Sequence, residues 1–551
     1  MTDTGLTARA LAFGAIAGAV IAAANVYAGL ELAFVDPGTT TIVLVAFALF
    51  GAGRRRFAAR EVAVAAALGS SAGAMAITAG LVGPLPALAL SGHPISPVVT
   101  IVWASCLGLL GTALALPFRD SFLRIRAFAF PSARAAGEAI ASLFGGVPGA
   151  RREVRWLALA AALAAGVTAA RDGLHLLPAS WAVPVAIAGV PAAALGIGIA
   201  ASPLLVGVGM LAGARTATSM AIGALVAWLV IAPRLVASGA AAPSYPSIVS
   251  WTLWPGAALM VASATTSCLL DARALWTAVR AELRTGARGR RWLVLGVAVL
   301  AAALVALGAL GFGVHPAISL FALVLAFVFA IAAMHATGET DNTPSGPLGG
   351  LTQIVVGATT RSGLVAPLHA GGVVNGVATH AAQMLNNWKT GDAVATPVRS
   401  VLVAQGLGVI VGAVAATIAY VVVRDAYGLG TTAMPMPGVM SWKATADAVA
   451  AGTGAMPAGA PVAALAAAIT GVALAIAARS VRLRRYLPSP VAIGIGFILP
   501  ASLTAALVLG AVVVSGVRRS AAGLAPAIAS GLIVGEAFTG VVVAAILASR
   551  G

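Results

Sequence analysis

Charge is what this sequence has least of. Only 9% of its 551 residues are Asp, Glu, Lys or Arg, and the acidic residues number 16. Cysteine is nearly absent: Cys106 and Cys268 both lie in apolar stretches and read as small buried hydrophobes. The six histidines form no His-x-x-x-His pair and no Cys-rich spacing accompanies them, so no zinc site is indicated. A Gly-x-x-x-x-Gly-Lys-Ser/Thr phosphate loop is missing as well, which argues against an ATP-driven pump and leaves an ion gradient as the energy source. No convergent nucleophile or metal constellation marks a membrane enzyme.

What is present is apolar. Sixty per cent of the residues are hydrophobic and the mean hydropathy is +1.01, far outside the range of soluble domains. A helix crossing the hydrocarbon core needs about 20 apolar residues. Windows of that kind recur at 10–30, 62–82, 156–170, 181–200, 292–312 and 317–336. The fold class expected is an all-α polytopic membrane protein with about 14–16 embedded helices, broken or re-entrant segments included. The first window has no clear small-residue cleavage site after it and is read as the first transmembrane helix.

The formal net charge of +17 comes from Arg clusters set between apolar windows. That spacing signals topology and gives no reason to expect nucleic acid. Arg54, Arg55 and Arg56, then Arg151, Arg152 and Arg155, the run 273–291, and Arg479, Arg482, Arg484 and Arg485 fall on the cytoplasmic side by this rule. The connections 31–40, 83–97 and 238–250 carry no Lys or Arg and fall outside, and the N-terminus falls in the cytoplasm. The stretch 424–461, rich in Gly, Pro and Met, reads as an external loop or a partly structured lid.

The chain repeats itself. Ser202-Pro203 followed by Gly207 and Gly209 matches Ser489-Pro490 followed by Gly494 and Gly496, and Gly223 falls in step with Gly510. Two related halves follow, 1–272 and 292–551, joined by a cytoplasmic basic linker at 273–291. Because both halves start from the cytoplasm, parallel repeats are expected over an inverted pair, with hairpins leaving the matter open.

Polar residues inside apolar surroundings are the candidates for function. Glu339, Asp341 and Asn342 sit in a Gly- and Pro-broken stretch that runs on to Gln353. They either cap a following helix or form a substrate or proton site on a discontinuous helix. Lys389 and Asp392 form a second island, read either as an interfacial ion pair or as a buried pair that responds to substrate. Arg134 and Glu138 have the i, i+4 spacing of an intrahelical salt bridge, or of a pair facing a cavity. Asn25, Tyr27 and Glu31 decorate the end of the first span, Tyr27 as an interfacial anchor and Glu31 as a loop carboxylate.

Taken in order, these motifs resemble the oligopeptide transporter family, which includes the yellow stripe-like metal-chelate transporters. Asn25-x-Tyr27-x-Gly29, Phe130-Pro131-Ser132 with Gly137-Glu138, Ser202-Pro203, and Trp254-Pro255-Gly256 are similar to its first-half signatures. Gly338-Glu339-Thr340-Asp341-Asn342 with Thr352-Gln353, Lys389-Thr390-Gly391, Pro490 to Gly496 and Gly535-Glu536 are similar to those of the second half. The sequence departs at Glu31, where many members carry a basic residue, at Arg134, where a small or polar residue is commoner, and at Asn387, often Asp. The resemblance implies proton-coupled import of short peptides or peptide-like molecules by alternating access, or of metal complexed by a siderophore or amino-acid-like chelator. Under it, Glu339 and Asp341 serve the coupling proton or substrate amine, and Arg134 and Lys389 a substrate carboxylate. No cofactor is called for beyond the proton gradient. The partners expected are substrate and lipid, with self-association left open, and the compact loops fit a multi-pass protein of a cell inner membrane.

Overall fold

A computed structural model describes the chain except residues 1–3, 34, 51–55, 126–127, 129, 145–149, 188, 194, 286–290, 341–342, 361, 433, 452–455, 485, 517–523 and 549–551. The helices of nine residues or more are α1 (Ala8–Leu32), α2 (Thr39–Phe50), α3 (Ala59–Gly73), α4 (Pro97–Ala115), α5 (Pro131–Phe144) and α6 (Ala150–Thr168). After four short strands come α7 (Pro203–Ala224), α8 (Tyr245–Thr285), α9 (Arg291–Phe312), α10 (Pro316–Thr340), α11 (Ser345–Thr360) and α12 (Val365–Asp392). The remainder are α13 (Val398–Tyr427), α14 (Pro437–Ala451), α15 (Ala460–Ala477), α16 (Pro490–Ile498), α17 (Ala501–Gly516) and α18 (Ala525–Ala548).

Ten helices among the described residues are long and apolar enough to cross a membrane. Many turn apolar side chains outward: α9 exposes Trp292, Val294, Leu295, Val299 and Leu310, a surface that suits lipid and not water. The protein is an all-α polytopic membrane protein. One expectation needs correction. The window 181–200 is not a helix, because Pro184, Pro191, Gly189 and Gly196 interrupt it. It forms a nested hairpin instead, with Ser180–Ala182 paired antiparallel to Gly198–Ala200 and Ala186–Ile187 to Val190–Pro191. The stretch 424–461 is partly structured, since α13 runs on to Tyr427 and α14 lies within it.

Two compact units emerge, each assembled from separated segments. The first comprises Met1–Val26, Val35–Val154 and Asp271–Val421. Its centre is α12, buried along nearly its whole length against α3, α4, α5, α10 and α11. This helix carries unusual polarity for a core position, and its polar groups find partners across the interfaces. Asn387 Nδ2 donates to Gln405 Oε1 at 2.6 Å, and Gln405 Nε2 donates to Thr112 Oγ1 at 3.2 Å and to the His380 carbonyl at 3.3 Å. His380 lies between the hydroxyls of Ser71 (3.2 Å) and Thr78 (2.6 Å), while Ser70 donates to Asn387 Oδ1 at 2.9 Å. Gln405→Leu would take one of two acceptors from the Asn387 amide, which keeps the Ala67 carbonyl at 3.2 Å, and remove the donor to the buried Thr112 hydroxyl, so a loss of roughly 1–3 kcal/mol is expected, read as a lower melting temperature in detergent.

The second unit comprises Tyr27–Phe34, Arg155–Leu270 and Val422–Gly551, and contains both copies of the Ser-Pro repeat. The copies share their local chemistry. Ser202 and Ser489 each cap a helix, accepting from Leu205 N at 3.2 Å and Ala492 N at 3.3 Å, with Pro at the first helical position in both. Both helices then break at the same repeat position: α7 at Gly213, where φ is +77°, and α16 at Leu499–Pro500, before α17 resumes.

The packing of the two copies is reciprocal. A Cβ at Gly209 would strike the Leu507 carbonyl, and one at Gly496 the Met220 carbonyl; likewise Gly223 lies on Ile493 and Gly510 on Val206. Each contact recurs with the copies exchanged, and partner numbers fall as α7 numbers rise. The two broken helices therefore run antiparallel about a local two-fold axis perpendicular to them. This inverts the parallel arrangement expected from the sequence. The charges agree with inversion: the connection before Ser489 holds Arg479, Arg482, Arg484 and Arg485, whereas residues 173–201 before Ser202 hold no Lys or Arg.

Candidate functional site

In the first unit the structure brings two of the singled-out motifs into contact. Phe130 takes a positive φ of 42°, rare for a bulky residue, and its N–H donates to the Gly338 carbonyl at 3.0 Å. Gly338 has no room for a side chain, since a Cβ would meet Phe128 and Phe130 at 3.0 Å, and the His335 ring stands edge-on to Phe128 at 4.9 Å. The Phe-Pro-Ser corner and the end of α10 are thus fixed to one another. The Lys-Thr-Gly motif joins the same α5 segment, because Thr390 Oγ1 donates to the Ala133 carbonyl at 3.0 Å and Gly137 packs against Thr390 and Ala393.

The individual candidates fall as follows. Glu339 lies in the last turn of α10, whereas Asp341 and Asn342 lie outside the described residues. Pro344 and the start of α11 at Ser345 confirm that the helix is discontinuous there. Gln353, on α11, is 1% exposed, and its Oε1 meets no hydrogen-bond donor among the described residues. Arg134 and Glu138 pair with each other at 2.8 Å on an exposed face. Lys389 is half-buried in the last turn of α12, where a cation complements the helix dipole. Asp392 pairs with the buried Arg119 at 3.2 Å, and that guanidinium also lies over the Trp388 ring at 5.8 Å. Asn25 is a structural pin: it donates to the carbonyls of Asp36 (2.7 Å) and Gly73 (2.9 Å) and accepts from Asp36 N.

Tyr27 and Glu31 belong to the second unit and are not at an interface or in a loop. Both are buried on the last turns of α1, which ends only at Ala33 with its positive φ of 58°. The Tyr27 ring packs against Gly540 of α18 and stands edge-on to Tyr427 at 5.9 Å, and Tyr427 donates to the Gly540 carbonyl at 3.3 Å. One helical turn from Gly540 on α18 is Glu536, and one turn from Tyr27 on α1 is Glu31.

Glu536 is fully buried and ion-paired with Arg171, itself only 8% exposed. Arg171 sits in the wide turn Ala169–Gly173 that ends the α6 segment. Its Nη1 donates to Glu536 Oε1 at 2.9 Å and to the Ala201 carbonyl at 2.6 Å, while Nε and Nη2 grip both oxygens of Asp172 at 2.6 and 2.7 Å. The second Glu536 oxygen accepts from Leu204 N at 2.7 Å, placing the carboxylate on the N-terminus of α7 just after the Ser202 cap. A net of charge therefore ties α6, α7 and α18 together beside Glu31. The sequence assigns Arg171 no role, and it places Glu536 in a motif and among the carboxylates to test for coupling after Glu339 and Asp341. An uncharged run from 173 to 214 following an isolated Arg-Asp pair was the available signal.

The sequence profile described as OPT oligopeptide transporter protein matches residues 5–547. The chain is also similar to the iron-phytosiderophore transporter yellow stripe 1 of Zea mays, at 28% identity over 225 residues, covering 39% of this chain and 33% of that protein. The match thus spans about a third of the length of the curated relative. With motifs from Asn25 to Glu536 in the family's order, ten helices among the described residues long and apolar enough to cross a membrane, and a profile match over nearly the whole length, the chain belongs to the oligopeptide transporter family.

Proposed function

We propose that this transporter imports short peptides or peptide-like molecules by proton-coupled alternating access in a cell inner membrane. The carrying observation is the interruption between α10 and α11, clamped to the Phe130 corner and followed by the buried Gln353 oxygen, which has no donor among the described residues. Broken helices of this kind place backbone and side-chain polar groups where a solute can replace water. Glu339 and Asp341 would meet the substrate amine or the proton, Asn342 and Gln353 its amides, and Lys389 its carboxylate. Arg134 and Glu138 would act from the exposed face of α5, and Asp392 would hold Arg119 in place. No bound cofactor enters this scheme.

A second reading keeps the fold and changes the cargo to a metal complexed by a siderophore or amino-acid-like chelator. The similarity to an iron-phytosiderophore transporter favours it. Uptake of labelled di- to tetrapeptides and of ferric chelates into proteoliposomes separates the two. One pH unit supplies roughly 1.4 kcal/mol per proton, enough for about tenfold accumulation. Glu339→Gln and Asp341→Asn are expected to abolish that accumulation while weakening substrate binding far less. Gradient-driven uptake at wild-type levels in both variants would remove these two residues from the scheme.

A further inference from the structure

The net around Arg171 is closed except at one guanidinium N–H and at Glu31. Four of the five N–H groups of the guanidinium are engaged, both oxygens of Glu536 have donors, and both oxygens of Asp172 are gripped. Glu31 is the exception among these carboxylates: it is 5% exposed, and its Oε2 is buried with no hydrogen-bond partner among the described residues. Its position follows from two helix faces, Tyr27 and Glu31 on α1 set against Gly540 and Glu536 on α18. The charged and titratable groups that face it from the elements packed there are Arg171, Asp172, Glu536, Tyr27 and Tyr427.

One positive charge meets three carboxylates in this space, and burying an uncompensated carboxylate is costly. Something cationic has to balance Glu31. The described residues hold no group of three or more His, Cys, Asp or Glu arranged to take a metal ion, so a multidentate cation is disfavoured. A proton needs only the free oxygen. We infer that Glu31 carries a coupling proton, beside an Arg171, Asp172 and Glu536 net whose mutual hydrogen bonds keep those three groups ionised. This assignment rests on the proton-coupled reading above and adds a second site, in the other unit, to the break at α10 and α11.

The proton binds Glu31 from one side of the membrane and leaves to the other. No further reactant is required. Two readouts test the assignment. In proteoliposomes, Glu31→Gln is expected to lose about tenfold pH-gradient-driven accumulation, which is the whole of what one pH unit can drive. Exchange of preloaded substrate at equal pH should persist, and Glu31→Asp should restore accumulation with a displaced pH profile. Independently of any substrate, infrared difference spectra of the purified protein titrated with acid should show a protonated-carboxyl band that Glu31→Gln lacks and Glu31→Asp shifts.

A band unchanged in Glu31→Gln, or wild-type accumulation by that variant, overturns the inference; so does uptake that follows a sodium gradient and ignores pH. If Glu31→Gln fails to give a monodisperse protein, the Glu31→Asp titration decides alone, and an unmoved midpoint overturns the proposal. A wild-type protein that shows the Glu31 band but accumulates no peptide or chelate would sink the transport reading and leave the proton site standing.

Discussion

Arg171→Met is expected to destabilise the protein by roughly 3–5 kcal/mol, the cost of leaving a buried carboxylate without its partner. Glu536 loses the one side-chain cation paired with it among the described residues while remaining fully buried, and Asp172 and the Ala201 carbonyl lose their donors at the same time. Adding Glu536→Gln should recover much of the loss, because the neutral amide still accepts from Leu204 N through its oxygen and no longer needs a counter-charge. Thermal melting of the detergent-purified variants, read by size-exclusion chromatography, gives both numbers. If the double variant is as unstable as the single one, the penalty lies in lost packing of the arginine stem and the ionic account is wrong.

The reciprocal glycine contacts give the second large effect. Gly209→Ala and Gly496→Ala each push a methyl group into a backbone carbonyl that cannot rotate away, as do Gly223→Ala and Gly510→Ala. Overpacking of this kind costs about 1–3 kcal/mol per site. Equivalent positions should lose similar amounts, since Gly209 and Gly496 meet equivalent partners. Gly296→Ala provides the control: nothing lies within 4 Å of its added carbon, and helix propensity predicts a gain of up to about 1 kcal/mol. Unequal losses within a pair, or losses no larger than at Gly296, would contradict the local two-fold symmetry.

The membrane class, the Ser-Pro caps and the break after Gly338 were legible because each depends on residues close together in sequence. A Ser before Pro starts a helix at each of its three occurrences here, Ser96, Ser202 and Ser489, and two carboxylates among glycines and prolines interrupt a helix by local chemistry. The family's motif order was legible for the same reason. The polar core along α12 was harder to read: His380, Gln383 and Asn387 are tolerable there only because Ser70, Ser71, Thr78 and Gln405 arrive from other helices to satisfy them. Window hydropathy also mistook the hairpin at 180–200 for a span, since it registers apolar content and not the prolines that forbid a helix.

The orientation of the repeat was misread for a further reason. Counting spans from the first helix accumulates error at every broken or short segment, whereas the register of Gly209 with Leu507 fixes direction by contact. The isolated Arg171-Asp172 pair marks Arg171 in the sequence, but nothing local joins it to Glu536, 365 residues away.

The ion pair of Arg171 with Glu536 has a consequence for how the protein is made. Its two members are 365 residues apart. At the usual pace of synthesis, about 5–20 residues per second, Arg171 is in the nascent chain for roughly 20–70 s before Glu536 exists. Throughout that interval the guanidinium lacks its buried Glu536 partner, with Asp172 and the Ala201 carbonyl as its acceptors, and the glycine face of α7 waits for α16 and α17. Early helices of the second unit must therefore be sheltered by the insertion machinery or by lipid headgroups, and the closing of the ion pair is a step that comes after translation of most of the chain. Variants that weaken it should show their first defect in the cell as protein cleared by quality-control proteolysis before any loss of transport is measured.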